Sequence, residues 1–124
     1  MREVLFKAKA KDEPIEWVEG YLSKCEKKFI ICDEEGFGTF VDPETICQYT
    51  GLTDKNGNKI WENDVVNDTT INLLGSVEYD EEHGMYVINE VNDGYQNFQE
   101  FWSFTEVIGN IFDNPELISS STEF

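Results

Sequence analysis

The chain of 124 residues carries nine Lys and Arg against 26 Asp and Glu, a formal charge of −17. Its length points to one domain able to bury about two-thirds of its unfolded surface, and 40% hydrophobic with 14% aromatic content excludes a disordered chain. The charge argues against direct nucleic-acid binding and against anionic membranes; no apolar run approaches the ~20 residues of a membrane span, and the charged N-terminus does not read as a signal peptide.

Residues 2–8 alternate weakly, with Val4 and Phe6 on one face and Leu5 on the other, and predict a short strand. After a polar turn at 9–14, residues 15–22 predict a second strand, in which Gly20 signals a bulge or a close backbone approach. A charged connection at 23–28 leads to a third strand, Phe29-Ile30-Ile31-Cys32, whose continuous apolar run predicts burial on both faces. Residues 33–38 read as an acidic turn and 39–41 as a short extended piece. Asp42-Pro43-Glu44 starts a turn, because Pro fixes φ and Asp bonds its own backbone, and residues 45–50 are strand-like again.

Asn56-Gly57 is the pair that a type I′ hairpin turn wants, since both central positions need φ > 0. Asp54 and Asn58 flank it with short side chains that bond back to the turn. Ile60, Trp61, Val65 and Val66 supply apolar strand residues beyond it. Residues 75–80 and 85–88 flank Glu81-Glu82-His83-Gly84 in a hairpin pattern, and Asn92-Asp93-Gly94 is a further turn. Phe98, Phe101 and Trp102 give the one helical spacing, so at most one short helix is expected, near 97–104. Residues 106–112 predict the last strand, which Asp113-Asn114-Pro115 stops, and 119–124 read as a disordered tail. Short strands at about ten-residue spacing define an all-β, barrel-like domain.

The string QYTGLTDKNGNKIWENDVV at residues 48–66 resembles the central signature of the YopX-like proteins, a family of small proteins encoded in bacteriophages and prophages. REVLFKA at 2–8, WVEGYL at 17–22, VDPETI at 41–46 and VIGNIFDNPEL at 107–117 are similar to its remaining segments, in order. The resemblance implies a β-rich N-terminal part, about 1–47, leading into a small SH3-like barrel, about 48–118, in a single domain 1–118. It also implies a phage or prophage setting, but no biochemical activity; the host cytoplasm is expected from the lack of a membrane-length apolar run and of a signal peptide. Two departures stand out: Asn63, where the family usually has glycine, and the polar run 67–74. Asn tolerates left-handed backbone better than most residues.

All nine basic residues lie at or before Lys59, so residues 60–124 hold 14 acids and neither Lys nor Arg. Glu62, Asp64, Asp68, Glu78, Asp80, Glu81 and Glu82 are the candidates for an acidic binding face, and Trp61, Tyr95 and Trp102 for an aromatic one. Other aromatics, including Trp17, Tyr21, Phe29, Tyr49, Tyr79, Tyr86, Phe101 and Phe112, read as core. Asp54, Asn56 and Asn58 mimic the start of a calcium loop, but Lys59 and Val65 stand where an EF-hand needs Gly and Glu. Asp80, Glu82 and His83 could take a metal or do acid–base chemistry, though a solvated hairpin tip explains them more simply. Cys25, Cys32 and Cys47 are an odd set without zinc spacing and read as free thiols.

No nucleophile elbow or phosphate-cradling loop is present. The expectation is therefore a non-enzymatic accessory protein without cofactor or metal. It would bind a basic protein through an acidic face, in its sharpest form as a nucleic-acid mimic. The alternatives are a carboxylate- or metal-dependent enzyme and a homo-oligomeric structural component.

Overall fold

A computed structural model describes residues 4–91, 94–96 and 104–119, and these are mainly antiparallel β structure in two compact units, 1–49 and 50–124. In the first unit β1 (Phe6–Lys9), β2 (Trp17–Cys25), β3 (Lys28–Cys32) and β4 (Gly38–Val41) follow one another as neighbours. β2 serves two partners: residues 17–20 pair with β1, and residues 21–25 with β3. Gly20 sits at the change-over, where a Cβ would overlap the Cys32 carbonyl of β3. The close approach expected there is real, and only a residue without a side chain lets the strand turn this corner.

The end of β4 returns to β1. Ala10 bridges Val41, the Lys11 N–H donates to the Phe40 carbonyl (2.9 Å), and the Asp42 N–H donates to the Lys9 carbonyl (2.9 Å). The ring encloses Ala8, Ile31 and Val41, with Phe6, Val18, Leu22, Phe29 and Ile46 packed on them. β3 is therefore buried on one face, not two: Ile31 points inward, whereas Ile30 and Cys32 stay half-exposed. The alternation of a strand with one solvated face explains this better than a continuous apolar run does. A 3-10 turn, Pro43–Thr45, capped by the Asp42 side chain, leads into β5 (Cys47–Thr53), whose first two residues pair with β1.

The second unit contains the end of β5, then β6 (Lys59–Trp61), β7 (Asp64–Asp68), β8 (Leu73–Asp80), β9 (Met85–Glu90), β10 (Gly94–Gln96) and β11 (Glu106–Asn110). Five of these make an antiparallel sheet in the order β10-β9-β8-β7-β11, with a bulge in β11 between Val107 and Gly109. Its core is Ile60, Val66, Leu73, Val77, Tyr86 and Ile88, with Leu52 and Val107 packed against them. Burying each aliphatic member stabilises the fold by about 1.5–3 kcal/mol.

The 54–58 loop differs from the expected type I′ turn. Gly57 has φ 81°, but Asn56 keeps a negative φ. The Gly57 N–H donates to the Asp54 carbonyl (3.0 Å) and the Asp54 N–H to the Asn58 carbonyl (2.9 Å), the pattern of a three-residue loop closed by a left-handed glycine. The cause is the Asp54 carboxylate. Its Oδ1 accepts from the N–H groups of Asn56 and Asn58, each at 2.9 Å, and holds Asn56 on the right-handed side.

Asn63, by contrast, takes the glycine-like conformation with φ 73°. The helix expected near 97–104 falls mainly outside the described residues. Among the described residues a helical turn, α1 (Glu116–Ser119), follows Pro115, where only a strand stop was expected. Of the tail expected at 119–124, Ser119 instead ends α1, and 120–124 lie outside the described residues. Among the described residues no helix is long and apolar enough to cross a membrane.

Candidate functional site

β8 and β9 pair in register from Gly75↔Glu90 to Asp80↔Met85, and Glu81–Gly84 turns the chain between them, as the sequence pattern predicts. Tyr79 and Tyr86 face each other across the strands with ring centroids 5.0 Å apart, edge to face. The alternate residues Glu78 and Asp80 lie on the opposite face of β8. Glu78 Oε2 accepts from Asn89 Nδ2 at 2.9 Å and from Ser76 Oγ at 3.3 Å, which fixes that carboxylate on the sheet.

At the tip, Asp80 Oδ1 accepts from the N–H groups of Glu82 (3.0 Å) and His83 (3.3 Å), while its Oδ2 is 2.7 Å from His83 Nδ1. The His83 hydrogen bond, opposed by desolvation and aided by the backbone N–H groups, holds the Asp80 carboxyl below its ordinary pKa. Glu78, Asp80, Glu81 and Glu82 thus converge, with Tyr79 and Val87, around one shallow depression of about 310 Å³. Ligating atoms of Asp80, Glu82 and His83 lie within 4.8 Å of one another, a donor set of two carboxylates and one imidazole suited to a divalent transition metal.

The other acidic candidates do not join this cluster. Asp64 is 2% exposed, and its Oδ2 accepts the Trp61 N–H at 2.8 Å. Asp68 is 7% exposed, and its Oδ1 accepts both the N–H (3.0 Å) and the hydroxyl (2.6 Å) of Thr70. Both are therefore corrected from surface charges to internal turn caps, because a buried carboxylate is retained where backbone donors satisfy it. Glu62 is half-exposed in the turn between β6 and β7, apart from the hairpin tip.

Among the aromatic candidates, Trp61 is 4% exposed and cannot offer a ring to a ligand. Tyr95 lies in β10, paired with Asn89, and its side chain is outside the described residues, as is Trp102. Tyr21 and Tyr79, read from sequence as core, are exposed, whereas Tyr49 and Tyr86 are buried. Phe37 and Phe40 are exposed too, and sequence reasoning missed them. Period-two alternation with the inward Val41 is the signal that could have placed Phe40 outside. Cys25, Cys32 and Cys47 are all free thiols, and Cys47 is buried with its Sγ 3.3 Å from the Thr45 carbonyl.

The most recognisable stretch of the chain, residues 48–66, is taken up by folding. Tyr49, Ile60, Trp61, Val65 and Val66 are core, Thr50 Oγ1 donates to the Ile60 carbonyl at 2.7 Å, and Asp54 and Asp64 cap turns. A family model described as YopX protein matches residues 3–119. No curated protein was found to match.

Proposed function

The chain belongs to the YopX protein family, and on that premise we propose that it is a non-enzymatic accessory protein, phage- or prophage-encoded, that binds a basic protein partner in the host cytoplasm. The observation that carries this reading is the convergence of Glu78, Asp80, Glu81 and Glu82 around one depression on a hairpin. Carboxylates focused at one place steer a cationic surface into contact and fix its orientation. A long mimic of a nucleic-acid backbone is less well supported, because burial of Asp64 and Asp68 shortens the acidic row to the hairpin.

The test is a pull-down from nuclease-treated host lysate, with an equally acidic unrelated barrel as control. A partner retained by the chain, released by salt and lost on Glu81→Lys/Glu82→Lys supports the proposal. Equal retention by the charge-reversed chain, or no partner beyond the control, sinks it. The compact donor set of Asp80, Glu82 and His83 favours one second reading, a divalent-metal site. Zinc or manganese added alone should then raise Tm by mass action, and His83→Ala should abolish the rise.

A further inference from the structure

Phe37 is 68% exposed and Phe40 is 46% exposed, the first in the loop between β3 and β4 and the second on β4. Large aromatic side chains are normally spent on a core. The loop that carries Phe37 is nonetheless well fixed. Asp33 Oδ1 accepts from the N–H groups of Glu35 (3.0 Å) and Phe37 (2.9 Å). The Asp33 N–H donates to the Phe37 carbonyl and the Asp33 carbonyl accepts the Gly36 N–H, both at 3.0 Å. A ring presented to water from a fixed backbone is pre-organised for contact, because little ordering remains to oppose binding.

Phe37 and Phe40, with Val18 beneath, line a groove of about 330 Å³ at the end of the four-stranded ring, and Asp12, Glu13 and Glu16 lie along it. These three side chains are exposed, and among the described residues none of their carboxylates is paired with a cation. The combination is an apolar floor with three carboxylates along it, all within the first unit; Lys28 Nζ lies 5.3 Å from the centre of the Phe40 ring and, with Lys11 and Lys27, lines an adjoining depression that shares Asp12 and Phe40.

We propose that this groove binds an extended segment of a partner protein that carries Lys or Arg beside an apolar side chain. The apolar side chain covers the Phe37 and Phe40 rings, and the cation meets Asp12, Glu13 and Glu16. Extended peptides dock in aromatic grooves with little backbone cost, and charge at the rim selects among them. The rim disfavours nucleic acid. It also disfavours residues 60–124 of a second copy, which contain 14 acids and no Lys or Arg. The groove and the acidic hairpin have no lining residue in common, so each is tested by its own substitutions.

A random-peptide library displayed on phage is selected against the intact chain, and synthetic versions of the recovered peptides are titrated by fluorescence anisotropy. The expected peptides are rich in Lys or Arg beside an apolar residue. Their Kd should weaken by about tenfold or more with Phe37→Ser, and again with Asp12→Lys/Glu16→Lys. Glu81→Lys/Glu82→Lys should leave it unchanged. Circular dichroism checks that each variant is folded, which the exposure of these side chains favours. Peptides without a cationic bias, equal binding by Phe37→Ser, or no recovered peptide overturn the proposal. A dimer in sedimentation that Phe37→Ser dissociates would give the groove to a second copy and overturn it as well.

Discussion

Asp54 is 4% exposed, and its two carboxylate oxygens accept three backbone N–H groups: those of Asn56 and Asn58 within its own loop, and that of Val107 in β11 at 3.0 Å. Desolvation pushes its pKa up, but the N–H groups of Val107, Asn58 and Asn56 outweigh that, and the net lies below the ordinary 3.8. The folded chain therefore holds this proton more weakly than the unfolded chain. Its contribution is complete above the unfolded pKa and is lost as pH falls through the lowered folded value. Asp54→Ala should cost about 3 kcal/mol in urea unfolding near pH ~7, since three part-buried hydrogen bonds to a charged acceptor are lost. The gap to the parent chain should narrow once pH drops below 3.8; a gap independent of pH would refute this account. Asn63, at φ 73°, is the second residue to probe. Asn63→Gly should leave stability within about 0.5 kcal/mol, whereas Asn63→Val should lower it by about 1–2 kcal/mol. Retention of full stability by the valine variant would show that the left-handed turn is not required. At the hairpin tip, His83→Ala should return the Asp80 carboxyl toward its ordinary value, which a carbon-detected NMR titration reads directly.

Most strands were legible because each had two local signals, an alternating run and a turn residue to end it. The β8–β9 hairpin is the clear case: Gly84 takes φ 64° where the sequence placed the loop glycine. What sequence could not supply was the destination of polar groups. Asp64 and Asp68 look like surface charges in a chain with 26 acids, and only the backbone donors folded against them reveal their role. The same holds for Asp54, whose third donor comes from 53 residues away. The turn type at 54–58 was missed for this reason, because the carboxylate and not the Asn-Gly pair decides the backbone there. Of the candidate site, the hairpin carboxylates were readable from sequence; the Phe37 groove was not, since it needs the ring of β1 to β4 to bring two connections together. Gly20 tests that ring. Gly20→Ala places a methyl against the Cys32 carbonyl and should cost about 2–3 kcal/mol by thermal or urea unfolding. A variant as stable as the parent would mean that β2 does not turn there.

A charge of −17 sets the behaviour of the molecule as a whole. Carboxylates that repel one another oppose compaction, and dissolved salt screens them within about 10 Å at 0.1 M. Raising sodium chloride from about 0.01 M to 0.5 M should therefore raise Tm by on the order of a few degrees. A fall or no change would mean that local caps, not long-range repulsion, govern the charge balance. The reach of Asp54 to Val107 bears also on how the chain is made. A ribosome delivers residues in order, and domains tend to fold as they emerge. The strands of the first unit end at Val41 and pair with Cys47 and Gln48, so its ring can close early. The core of the second unit waits for β11, because Val107 packs on it and supplies the donor to Asp54. On stalled ribosomes, amides of β1 to β4 should become protected from exchange well before those of the 54–58 loop. That loop should gain protection only after residue 107 has left the exit tunnel.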